Sequence, residues 1–80
     1  MPHITIYSTP TCPYCKMAKE YLSQQNMPFT DIDVSADAAK AEAMIQKSGQ
    51  MGVPVIDIDG RIIVGFDRVA IDAALKSASG

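Results

Sequence analysis

Both cysteines of this 80-residue chain fall in one tetrapeptide, Cys12-Pro13-Tyr14-Cys15, so whatever they do they do together. As a structural staple the pair is poorly placed. A bridge closing four residues would stabilise by about 2 kcal/mol, against about 3 kcal/mol for a 15-residue loop, before strain is subtracted. A tetrahedral zinc ion wants four ligands, and beyond the two thiols the chain offers one histidine, His3. Asp57, Asp59 and Asp67 lack the further ligands of a calcium loop, and no metal is expected. Thiol–disulfide exchange needs only what is present: one thiol that ionises and a second close enough to displace whatever the first has captured.

A thiolate is favoured at a helix N-terminus, where orphan backbone N–H groups and the positive end of the helix dipole meet it. Pro13 suits the first helical position, because its missing N–H would have had no partner there. From Tyr14 onward, Tyr14, Met17, Ala18, Tyr21 and Leu22 recur at helical spacing, and this stripe is expected to face the core. Lys16, Lys19, Glu20 and Gln24 take the other side. Pro28 biases Met27 away from helical angles, so the helix should end near Asn26. Upstream, Ile4-Thr5-Ile6-Tyr7 alternates like a strand and Ser8-Thr9-Pro10-Thr11 turns. Cys12 is thus expected to be exposed at a strand-to-helix junction, with Cys15 covered one turn into the helix.

Phe29–Val34 reads as a second strand, and its separation from the first by a helix makes a right-handed βαβ unit with parallel strands. Ser35 is the expected N-cap of an alanine-rich helix running to about Lys47, with Met44 and Ile45 as its largest apolar groups. Gly49-Gln50-Met51-Gly52 interrupts, and Val53–Ile58 follows as a strand whose proline, Pro54, belongs near its beginning. Asp59-Gly60 is a two-residue hairpin signal joining that strand to Ile62-Ile63-Val64. Asp67 is the expected N-cap of a last helix that buries Ile71, Ala74, Leu75 and Ala78, with Ser77–Gly80 as a fraying tail.

At 48% hydrophobic and 20% charged residues, the chain is too apolar to remain disordered. Its length suits one domain spanning residues 1–80. Seven basic against nine acidic residues leave no electrostatic footprint for nucleic acid or an anionic membrane surface. No apolar run approaches the ~20 residues of a membrane span, and the first residues lack a signal-peptide pattern. A cytoplasmic location is expected. A reducing compartment argues further for catalytic rather than structural cysteines.

A strand, Cys-Pro-Tyr-Cys opening a helix, a βαβ half, Val53-Pro54 before the third strand and a hairpin into a final helix together resemble a glutaredoxin, over roughly Ile4 to Leu75. The resemblance implies an α/β thioredoxin-like fold, a four-stranded mixed sheet flanked by three helices in the order β-α-β-α-β-β-α, with Pro54 in cis facing the sulfurs. It implies a thiol–disulfide oxidoreductase in which Cys12 is the nucleophile and Cys15 the resolving thiol, the two forming the redox-active disulfide. Tyr14 would flank the bound substrate or glutathione. The backbone of Val53, between Gly52 and Pro54, would pair with an incoming cysteine. The turn Gly65-Phe66-Asp67 would hold the γ-glutamyl end of glutathione. Disulfide-containing proteins are the expected partners of a monomer, with glutathione as reducing co-substrate.

Three departures from the family pattern bear on the electron donor. Glutaredoxins usually carry a lysine where this chain has Thr9; their Thr-Val-Pro is Gly52-Val53-Pro54; and their Gly-Gly is Val64-Gly65, followed by Phe66. A Gly-Phe here is similar to the NrdH-type redoxins, which are reduced by thioredoxin reductase and serve ribonucleotide reductase. Thioredoxin reductase is therefore the competing donor. A rival of another class is an iron–sulfur cluster carried between two chains by Cys12 and glutathione, against which Pro13 counts because cluster binding in the family goes with a smaller residue there. Met51, beside Gly52, is a further candidate for the substrate groove.

Overall fold

The computed structural model describes residues 3–79, and the side chains of residues 3–77. Seven elements follow one another: β1 (Ile4–Ser8), α1 (Pro13–Gln24), β2 (Thr30–Asp33), α2 (Ala38–Ser48), β3 (Val55–Ile58), β4 (Arg61–Val64) and α3 (Arg68–Ser79). The sheet runs β2-β1-β3-β4, with β1 and β2 parallel and the other two pairings antiparallel. This is the expected thioredoxin-like arrangement.

Side-chain alternation along the strands divides the interior into two layers. Ile4 and Ile6 of β1 stand opposite Ile58 and Ile56 of β3. With Ile63 of β4 they pack against Ala18 and Leu22 of α1 and Ile71, Ala74 and Leu75 of α3. The opposite face carries Tyr7 and Val55, covered by Met44 of α2 with Ile45 and Ile62 around them. Two helices therefore lie on one face and one on the other. Among the described residues, no helix is long and apolar enough to cross a membrane.

Several boundaries move for identifiable reasons. α2 is capped by Asp37, whose carboxylate accepts the Lys40 N–H at 3.2 Å, not by Ser35. Ser35 is held in the preceding turn, donating its N–H to Asp33 at 2.9 Å. α1 ends at Gln24 because Asn26 turns left-handed, at φ 57°, and its N–H returns to the Ser23 carbonyl. β3 begins at Val55, since Pro54 has no N–H to offer a ladder. Asp59 and Gly60 both take positive φ, as a tight hairpin requires. Asp59 also accepts the His3 N–H at 2.8 Å, tying the start of β1 to the turn. α3 continues to Ser79 instead of fraying from Ser77, while the expected burial of Ala78 and the placement of Gly80 lie outside the described residues.

Candidate active site at the start of α1

Cys12 is the N-cap of α1, and its sulfur accepts the Cys15 N–H at 3.2 Å. Pro13 takes the first helical position beside it. The Cys12 thiol also reaches the Val53 carbonyl at 3.9 Å, across 41 positions of sequence. Val53 precedes the cis peptide bond to Pro54, and the Pro54 carbonyl accepts the Gly65 N–H at 2.8 Å. A continuous path thus joins the helix start, the loop before β3 and the turn after β4. Gly65 sits at φ 79°, a conformation that favours glycine.

The two sulfurs occupy different surroundings. Cys12 is half-buried at the surface, whereas Cys15 is 0% exposed beneath α1. Burial, followed by its contact with Cys12, pushes the Cys15 thiol up from 9.0 to about 11. A thiol raised in the folded state keeps its proton there after the unfolded chain has lost it. Stability is therefore intact below about pH 9 and falls as pH rises towards 11. Urea unfolding across that interval should show the loss in the native sequence, and a Cys15→Ala variant should show a flatter profile. An identical slope in both would contradict this assignment.

The remaining expected site residues are distributed around this centre. Tyr14 is 60% exposed on the first turn of α1. Asp67 spends one carboxylate oxygen on the Ala70 N–H at 3.1 Å, capping α3. Phe66 packs edge-on against Tyr21 at 6.1 Å between ring centroids. Gly52 lies under the side chain of Gln50, which donates to the Gly52 carbonyl at 2.9 Å. A Cβ at Gly52 would come 2.9 Å from the Gln50 amide oxygen, so a threonine there would have to displace that side chain. Met51 is exposed at 78%. Asp57, Asp59 and Asp67 bind Lys47, the His3 N–H and the α3 N-terminus respectively, so their geometry serves the fold.

The sequence placed α1 slightly wrongly about its axis. Met17 is 45% exposed, and the buried stripe is Cys15, Ala18 and Leu22. Met17, expected in the core, instead borders a groove of about 250 Å³ with Glu20, Gln24, Phe66 and Arg68, while Tyr21 packs against the core as expected and also lines that groove. The Arg68 guanidinium lies over the Tyr21 ring at 5.0 Å, and the Tyr21 hydroxyl donates to Asp72. Cys15, Ala18 and Leu22 are buried as their spacing led one to expect.

Comparison with known proteins bears on the fold and the family. The family model described as Glutaredoxin matches residues 4–63. The chain is 53% identical over 73 residues to a glutaredoxin-like 8.6 kDa protein of the rubredoxin operon of Clostridium pasteurianum, covering 91% of this chain and 97% of that one. It is 43% identical over 74 residues to Glutaredoxin 3 of Escherichia coli, covering 91% and 89%. Among solved structures, the NrdH-redoxin of Escherichia coli, a glutaredoxin-like protein with a thioredoxin-like activity profile, superposes with a TM-score of 0.80 at 27% identity, covering 89% and 92%.

Proposed function

Since the chain belongs to the glutaredoxin family and is a thiol–disulfide oxidoreductase of that family, we propose that it reduces protein disulfides and glutathione mixed disulfides through Cys12 and Cys15, with glutathione as electron donor. The observation that carries the assignment of roles is the asymmetry of the pair. Cys12 is accessible and receives a helix N-terminal N–H, the arrangement that stabilises negative charge on sulfur. Cys15 is buried and holds its proton.

In the first step the Cys12 thiolate attacks one sulfur of the substrate disulfide, a Cys12–substrate bond forms, and the other sulfur leaves as a thiolate that takes up a proton. In the second, Cys15 attacks the Cys12 sulfur. The Cys12–substrate bond breaks, the substrate thiol departs reduced, and the Cys12–Cys15 disulfide remains. Two glutathione molecules then return the pair to its dithiol form and leave as glutathione disulfide. The Val53 backbone, already turned towards the Cys12 sulfur, pairs with the incoming chain; Tyr14 flanks it; Gly52, Pro54 and the Gly65-Phe66-Asp67 turn complete the cradle for glutathione.

A second reading has specific support. Thr9 supplies no charge for a glutathione carboxylate, Phe66 presents an aromatic ring in the turn, and the NrdH-redoxin likeness extends over most of the chain. In that reading thioredoxin reductase reduces the pair. Coupled NADPH oxidation with glutathione and glutathione reductase, then separately with thioredoxin reductase, distinguishes the two. Faster turnover with glutathione is expected. Turnover with thioredoxin reductase alone would overturn the donor while leaving the cysteine pair in place.

A further inference from the structure

We propose that Lys19, held across α1 and β2 by Asp31, is a positioning residue for the second step, its fixed ammonium favouring the Cys15 thiolate that attacks the mixed disulfide. This rests on the division of labour between Cys12 and Cys15 proposed above. Lys19 follows Cys15 by one helical turn, so both project from the same side of α1. A free surface lysine would contribute little, because its long side chain disperses into water. Here Nζ is bound to Asp31 Oδ2 at 2.9 Å. The other Asp31 oxygen accepts the Ser8 hydroxyl at 2.7 Å, and Ser8 is buried at the end of β1, immediately before Thr9. Three elements thereby fix one positive charge beside the turn that carries Cys15.

Burial of Asp31 opposes its ionisation, yet the bonds from Ser8 and Lys19 hold its carboxyl below the ordinary value, so the anchor stays charged. Around the Cys15 thiol, burial and Cys12 disfavour the thiolate, whereas the Thr9 backbone and the Lys19 ammonium favour it. Lys19 is the cation in that set, paired with Asp31 of β2. The attacking thiol is fully buried and its thiolate scarce near neutral pH, so even the Lys19 charge, the smallest of these influences, bears on the population that reacts. As Cys15 Sγ bonds to Cys12 Sγ, the bond from Cys12 to the substrate sulfur breaks. The electron pair leaves with the substrate sulfur, which takes up the equivalent of the proton released by Cys15. The cysteine pair is oxidised and the substrate reduced.

The test is release of the substrate thiol from the preformed Cys12 mixed disulfide, followed across pH in the native sequence and in Lys19→Gln, Lys19→Arg and Cys15→Ser variants. Lys19→Gln should slow release about 3-fold at neutral pH, the size expected of one partly exposed charge. It should also move the rate–pH profile to higher pH, and Lys19→Arg should restore both. The ratio of dithiol to monothiol turnover should fall by the same factor, monothiol turnover being measured in the Cys15→Ser background. An unmoved pH profile in Lys19→Gln, or an equal loss when Cys15 is already absent, would overturn the role of Lys19. Undiminished release in Cys15→Ser alone would overturn instead the division of labour beneath it.

Discussion

Cys12→Ser is expected to lower disulfide reduction by at least about 10³-fold, the scale of removing a covalent nucleophile, with the fold retained. The two halves of that expectation have separate causes. A serine hydroxyl does not ionise near neutral pH and forms no mixed disulfide, so the first step is lost. Serine is nevertheless a favoured N-cap, and the N-cap is the structural role of Cys12, whose sulfur accepts the Cys15 N–H. Thermal unfolding should therefore stay within about 0.5 kcal/mol of the native sequence. Reduction of insulin and of a small glutathione mixed disulfide are the assays. Cys15→Ser should separate them, keeping the second, which needs one thiol, and losing the first. Undiminished turnover in Cys12→Ser would refute the assignment of the nucleophile.

Ile56→Ala should cost about 3–4 kcal/mol of stability, through lost burial and the cavity left behind. Ile56 is fully buried in β3, paired with Ile6 of β1 on one side and Ile63 of β4 on the other, beneath α1 and α3. A chain of this size has about 4–12 kcal/mol in total, so the change takes a large share. It corresponds to a fall in Tm of about 18–24 °C. Val69→Ala, at a position 80% exposed, should change stability by less than about 0.5 kcal/mol. Urea unfolding of both variants measures the contrast. A loss below about 1 kcal/mol for Ile56→Ala would be inconsistent with the packing of both helices on that face.

Local rules anticipated the elements better than their faces. Pro13 at the first helical position, the Asp59-Gly60 hairpin and the Asp67 cap all act within a few residues, and each is present. Ser35, the expected cap, and Asp37, the observed one, are both residue types favoured at a helix N-cap. What separated them was the turn in which Asp33 already engages Ser35. For α1, the stripe Tyr14, Met17, Ala18, Tyr21 and Leu22 holds at Ala18 and Leu22, which are buried, and in part at Tyr21, which packs against the core. Each residue turns a helix by about 100°, so a small rotation is enough to carry one edge of a stripe out of the core. Fit against the sheet leaves Tyr14 and Met17 exposed.

The sequence by itself determined the order of strands and helices and put two thiols at the first strand-to-helix junction, because periodicity, capping and turn chemistry are short-range. Through two cysteines and few other ligands it also favoured redox exchange as their chemistry. The division into a reachable Cys12 and a covered Cys15 was legible in the sequence and is present; only the tertiary structure decided that the Val53 carbonyl meets the Cys12 sulfur and that Ser8, Asp31 and Lys19 come together. These contacts join residues 12, 23 and 41 positions apart. The β1–β2 pairing could be read from the strand–helix–strand order, but the contacts also depend on β1 pairing with β3 and on the rotation of α1 over the sheet, which no local pattern of residues encodes.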